Sequence, residues 1–239
     1  KAIEEDIGSI EEKGVKEDMD ETEVYERYSS QVREGNVDFC CVRLPAKLVL
    51  TEKPLHDGKG GFKKKARMCV CGNFEEGTGH DPFNRSEVPS SYELRTLLAL
   101  ARDAGWDIGA LDIKTAFLNA DLDDEFDPIY LVFLPALLGK LGIKIPKKFW
   151  KLKKVLYGLR SGPKRWGDRR DQELREASIT LDSGKKLTLE QGKTCKHLWL
   201  VKLDDQIVGR FLVYVDDVII TGTTEVVVKV MELFEQIWA

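Results

Sequence analysis

Phe211-Leu212-Val213-Tyr214-Val215-Asp216-Asp217-Val218-Ile219-Ile220-Thr221-Gly222 is the stretch on which the reading of this chain turns. Apolar, β-favouring residues run up to and away from two adjacent carboxylates, and Thr-Gly closes the segment. Aspartate suits tight turns, so the pattern predicts a hairpin over 207–221 with the acid pair at its tip. A turn explains the acids but not their place inside an otherwise unbroken apolar run. Ionised groups in such surroundings are costly unless something cationic meets them. The pair therefore reads as a place where a cation binds.

A third carboxylate lies upstream, in Leu111-Asp112-Ile113-Lys114-Thr115-Ala116-Phe117-Leu118-Asn119. A strand is predicted over 106–113, and its alternation puts Trp106, Ile108, Ala110 and Asp112 on one face. Asp112 falls at the carboxyl end of that strand, and a helix is predicted from about Lys114, so Asp112 also suits an N-cap. Together with Asp216 and Asp217 it makes a two-metal site chemically coherent. Two Mg²⁺ ions ~3.5–4 Å apart need bridging carboxylates and clamp the attacking and leaving oxygens of an in-line phosphoryl transfer.

Outward from these acids the chain alternates helical and strand patterns. Residues 1–38 are acidic and poor in apolar periodicity, which reads as a linker or marginal helix outside the core. Phe39–Leu50 is strand-like and leads into a turn-rich stretch at Pro54–Gly61; Lys64–Asn73 returns as the second strand of a hairpin with a basic tip. Residues 75–90 form a loop. Ser90 with Glu93 is a capping box that opens a helix with a stripe of Leu94, Leu97, Leu98 and Ala101, ended by Gly105. Short strands and a helix fall between 123 and 150. A basic helix follows over 164–177, a hairpin over 187–203, and an amphipathic helix over 225–238. This mixture with antiparallel strands argues an α+β fold.

Charge is distributed unevenly. Residues 1–30 carry eleven acidic and four basic side chains, whereas residues 140–175 carry thirteen basic and three acidic. A cationic block of that density repels itself unless a polyanion such as nucleic acid relieves it. No segment reaches the ~18 consecutive apolar residues of a membrane span, and no signal peptide is visible. The five cysteines (Cys40, Cys41, Cys69, Cys71, Cys195) and three histidines (His56, His80, His197) fit no zinc spacing, so intracellular free thiols are expected. Because the sequence begins at Lys1 rather than Met, an excerpt of a longer protein is expected.

Three blocks now carry a resemblance: Asp112-Ile-Lys-Thr-Ala-Phe-Leu-Asn, Leu156-Tyr-Gly-Leu-Arg-Ser-Gly-Pro-Lys-Arg-Trp166, and Tyr214-Val-Asp-Asp217 with Ile219-Ile-Thr-Gly222. In order and spacing they resemble the reverse transcriptase of copia-type LTR retrotransposons. Lys65-Ala-Arg67 followed by Gly72-Asn-Phe74, and the helix from Leu94 to Ala101, resemble the family's fingers strand and first palm helix. The resemblance covers about residues 42–224.

The resemblance implies a right-hand polymerase palm with fingers, an antiparallel sheet packed on helices, and a thumb outside these residues; 1–40 would be an acidic, poorly ordered linker and 41–239 the fingers and palm. Asp112, Asp216 and Asp217 would be catalytic metal ligands for two Mg²⁺, with Mn²⁺ as an alternative. Phe117 would be the steric gate that favours dNTPs over rNTPs. Arg67, with Lys65 as a weaker companion, would meet the triphosphate, and Tyr157-Gly158 would line the nucleotide pocket. Lys164, Arg165, Arg169 and Arg170 would track template or primer phosphates.

Implied partners are an RNA or DNA template with its primer, dNTPs, and the rest of a polyprotein (thumb, ribonuclease H, integrase), with no membrane and with a homodimer allowed. The implied setting is a cytoplasmic particle with later nuclear delivery of cDNA. The chain departs from the family at Arg160-Ser161-Gly162, where Lys-Gln-Ala is common, at Cys71, where arginine is usual, and over 123–135. The alternatives are an inactive or truncated retrotransposon relic that at most binds nucleic acid, and a nucleotidyl cyclase with carboxylates beside a hairpin; the latter would lack the 156–166 block.

Overall fold

The computed structural model describes residues 1–33, 41–55, 60–75, 88–122 and 128–238. The centre of the turn at 54–61, most of the loop at 75–90, and Cys40, His56 and His80 lie outside them. The fold is α+β, in two compact units: Lys1–Asn84 with Phe117–Arg165, and Arg85–Ala116 with Trp166–Ala239.

The first unit holds α1 (Ala2–Glu12), β1 (Lys16–Met19), α2 (Glu21–Arg33), β2 (Cys41–Pro54), β3 (Phe62–Val70), β5 (Ile129–Phe133), the short α4 (Leu137–Lys140) and β6 (Phe149–Leu152). Its five strands run in the order β1-β6-β5-β2-β3. The pair β2 and β5 is parallel, Leu44 opposite Val132, whereas the other pairs of this sheet are antiparallel.

The acidic N-terminus is the larger correction. Residues 1–33, expected as a linker or marginal helix outside the core, form two helices and a strand. β1 pairs antiparallel with β6, from Lys16 opposite Leu152 to Met19 opposite Phe149. Met19 and Val24 join Ile129, Leu131 and Phe149 in a buried cluster, and Ile10 and Val15 are fully buried. Few as they are, these four apolar side chains are spaced so that each element brings at least one inward, which suffices to dock the segment.

The second unit holds α3 (Ser91–Asp103), β4 (Asp107–Asp112), most of α5 (Gly162–Glu176), β7 (Ile179–Thr180), β8 (Lys186–Gln191), β9 (Leu198–Leu203), β10 (Gln206–Tyr214), β11 (Asp217–Gly222) and α6 (Thr224–Trp238). Its sheet is antiparallel throughout, in the order β4-β11-β10-β9-β8-β7. One face packs on α6 through an aromatic chain. Trp199 stacks on Phe211 at 5.9 Å, Phe211 meets Phe234 at 5.5 Å, and Phe234 meets Trp238 at 5.1 Å. Gly109 lets α6 close on the edge strand, since a Cβ there would come within 2.7 Å of Val227 Cγ1. The helix expected from Lys114 is replaced by one 3₁₀ turn, Ala116–Asn119. Thr115 takes φ +51°, a left-handed conformation that a right-handed helix cannot pass through.

Candidate active site

In the second unit the β10–β11 hairpin turns on Val215-Asp216, with Tyr214 opposite Asp217. Val215 sits at φ +55°, an expensive conformation for a β-branched residue. Two hydrogen bonds hold it: the Trp166 indole donates to the Val215 carbonyl at 2.8 Å, and the Ile113 amide donates to the Asp216 carbonyl at 2.7 Å. The second bond ties the turn to the end of β4. There the register sets Asp112 directly opposite Asp217, so both side chains share one face of the sheet. Asp112, Asp216 and Asp217 are thus brought together at one end of three adjacent strands and their turn.

Like charges directly opposite on a sheet repel. Among the described residues no lysine or arginine forms an ion pair with Asp112 or Asp216. Carboxylate oxygens are the ligands that Mg²⁺ takes, so the donor set fits a hard divalent cation. The side chains do not yet enclose one: no described group of three or more His, Cys, Asp or Glu residues is set to hold a metal ion. A cavity of about 680 Å³ opens on the same face, with Asp112, Asp217 and Tyr214 beside Leu94, Leu212 and Ile219.

In the first unit the residues expected to meet a nucleotide form a second group. The Arg67 guanidinium lies over the Tyr157 ring at 5.1 Å, and the Phe117 ring meets Tyr157 edge-on at 6.1 Å. Burial pushes the Tyr157 phenol above its ordinary value, against the pull of Arg67. Gly158 has φ +95°, and a Cβ there would lie 2.0 Å from the Val70 carbonyl oxygen. Only glycine lets this turn sit against β3, where the Val70 amide donates to the Tyr157 carbonyl at 2.6 Å. Lys65 is half-buried on the same strand.

The four basic residues expected to meet phosphates differ in burial and pairing. Lys164 and Arg165, in the first unit, are half-buried, and Arg165 Nε donates to Ser161 Oγ at 3.3 Å. Arg169, in the second unit, is bound to Glu173 at 2.6 Å. Arg170 is turned inward: its side chain is 6% exposed and bound to Asp171 at 2.6 Å. Helical periodicity turns one of two consecutive arginines inward, where a neighbouring acid satisfies it.

Comparison with known proteins bears directly on this arrangement. Residues 42–236 match the family model described as reverse transcriptase (RNA-dependent DNA polymerase). The chain belongs to the reverse transcriptase family. It is 30% identical over 181 residues to the retrovirus-related Pol polyprotein from transposon RE1 of Arabidopsis thaliana, covering 73% of this chain and 11% of that protein. To the Pol polyprotein from transposon TNT 1-94 of Nicotiana tabacum it is 39% identical over 104 residues, 43% of this chain and 7% of that one. To the transposon Ty1-H Gag-Pol polyprotein of Saccharomyces cerevisiae it is 32% identical over 120 residues, 50% of this chain and 6% of that one. The chain spans about a tenth or less of the length of these curated relatives. The copia-type resemblance read from the sequence is borne out.

In this reverse transcriptase family chain two further side chains hold the elements that carry these groups. Trp166 closes the 156–166 block, yet its indole bond to Val215 had no local signal, because the two are 49 residues apart. Asp6, outside the family match, accepts from the Met68 amide on β3 at 2.6 Å. Its acidic surroundings suggested only solvent.

Proposed function

We propose that this chain is the palm and fingers portion of an RNA-directed DNA polymerase that adds dNTPs to a primer 3′-hydroxyl during retrotransposon replication. The observation that carries the reading is the register that sets Asp112 opposite Asp217, with Asp216 tied to the end of β4 through Ile113. The second unit supplies the palm sheet and the first the fingers.

Asp112, Asp216 and Asp217 would hold two Mg²⁺. When bound, the ions would supply a lowered pKa for the primer hydroxyl and neutralise charge on the pyrophosphate. The chain's own residues bind and orient. Arg67 offers a cationic fork to triphosphate oxygens, and Lys65 adds charge. Tyr157-Gly158 would line the nucleotide pocket, in a turn held against β3 by the absence of a Cβ at Gly158, and Phe117, braced edge-on by Tyr157, would exclude a 2′-hydroxyl. Lys164 and Arg165 take phosphates of template or primer, giving affinity without sequence choice. An RNA or DNA template, dNTPs, the remaining Pol domains and a cytoplasmic particle as the setting complete the proposal.

The test is primer extension on an oligoribonucleotide template, using a polypeptide that spans the polymerase region of the parent Pol protein. Asp216→Asn is expected to abolish dNTP incorporation while thermal unfolding stays as in the wild type. Incorporation retained by that variant would overturn the assignment. Salt-sensitive nucleic-acid binding by a wild-type protein that incorporates nothing would replace it with a binding-only relic.

A further inference from the structure

The five acids of α1 (Glu4, Glu5, Asp6, Glu11, Glu12) are accompanied by no base within the helix. α1 packs on β3, the strand that carries Lys63, Lys64, Lys65 and Arg67. Its position is fixed by buried groups. Ile10 is fully buried, and the Val15 carbonyl accepts from the Lys153 and Lys154 amides at 2.8 and 3.2 Å. One acid is held inward: Asp6 Oδ2 accepts from the Met68 amide at 2.6 Å. From there its charge acts on Arg67, Lys65 and Tyr157.

An acid beside an arginine can either orient it or reduce its field. Among the described residues Asp6 makes no ion pair with Arg67. The guanidinium is instead held over the Tyr157 ring. Orientation therefore does not depend on Asp6, and what remains is its negative charge next to the groups that would receive phosphate oxygens. We propose that Asp6, supplied by a helix outside the family-matched residues, is an affinity-tuning residue of the nucleotide site: it weakens capture of polyphosphate by Arg67 and Lys65. The inference rests on the reading of Arg67 as a triphosphate ligand.

Calorimetric titration of the full chain with tripolyphosphate, without divalent metal and at low salt, separates the two ideas. Asp6→Asn keeps an acceptor for the Met68 amide and removes the charge. It is expected to bind about three- to tenfold more tightly than wild type, with the gap closing as salt is raised. Arg67→Ala is expected to lose most of the binding in either background. Asp6→Ser, a second neutral acceptor, should behave as Asp6→Asn does, should the latter fold poorly. Equal binding by the neutral variants, or weaker binding, which would mean that Asp6 orients the site, overturns the inference while leaving Arg67 a ligand. Absent binding in wild type and variants alike, or binding indifferent to Arg67→Ala, overturns the reading of Arg67 and the inference with it.

Discussion

Val215 shows what the acid hairpin costs. A β-branched residue at φ +55° is strained by about 1–3 kcal/mol, and two hydrogen bonds from other elements hold it there. Glycine adopts that conformation freely but loses about 0.5–1 kcal/mol through the unfolded chain. Val215→Gly is therefore expected to leave stability unchanged or raise it by up to about 1 kcal/mol, although it deletes an aliphatic side chain. Denaturant unfolding checks this, and a clear loss of stability would mean that packing of the valine outweighs its strain. The same variant should incorporate dNTPs more slowly, because the turn that places Asp216 and Asp217 is less constrained. The acid pair itself was legible from composition, since carboxylates in an apolar run stand out. The strain was not, because valine gives no local sign of a left-handed turn.

Elements with chemically specified ends were read well, and elements specified by distant contacts were not. Ser-x-x-Glu at 90–93 announced a capping box, and both reciprocal bonds are present. The predicted start of α3 needed nothing beyond four residues. The helix expected at Lys114 failed because its apolar spacing says nothing about Thr115. Residues 1–33 failed because acidic composition hid four inward side chains, one in each of three elements and Val15 between the first two. The cap also carries a pH signature. The Glu93 carboxyl is held below its ordinary value by the Cys195 thiol first, then by the Ser90 amide and hydroxyl. A depressed folded value means stabilisation that is complete above the ordinary glutamate range and lost as pH falls through the lower, folded value. Ser90→Ala is expected to cost about 1 kcal/mol at neutral pH. That penalty should shrink as the solution is acidified through the titration of Glu93, as thermal unfolding at several pH values would record.

For the whole molecule, the family match begins at residue 42, but the first unit does not. Ile10, Val15, Met19 and Val24 are 0%, 0%, 1% and 4% exposed. Burying such side chains is worth about 1.5–3 kcal/mol each. Their combined contribution, on the order of 6–12 kcal/mol, rivals the ~5–15 kcal/mol by which a whole domain is stable. Removing them also strips β1 from β6 and leaves Leu152, Lys151, Trp150 and Phe149 along an unpaired edge, which invites aggregation. A chain that lacks only the residues before 42 is therefore expected to lose its first unit selectively. Hydrogen exchange would show this as lost protection in β5 and β6 with protection kept in β10 and β11, whose partners β9 and β4 are untouched by the truncation. Undiminished protection in β5 and β6 would mean that the N-terminal elements are passengers on a unit that folds without them. Selective loss would make residues 1–33 part of what holds the first unit together, so a boundary drawn from family similarity would cut through a core.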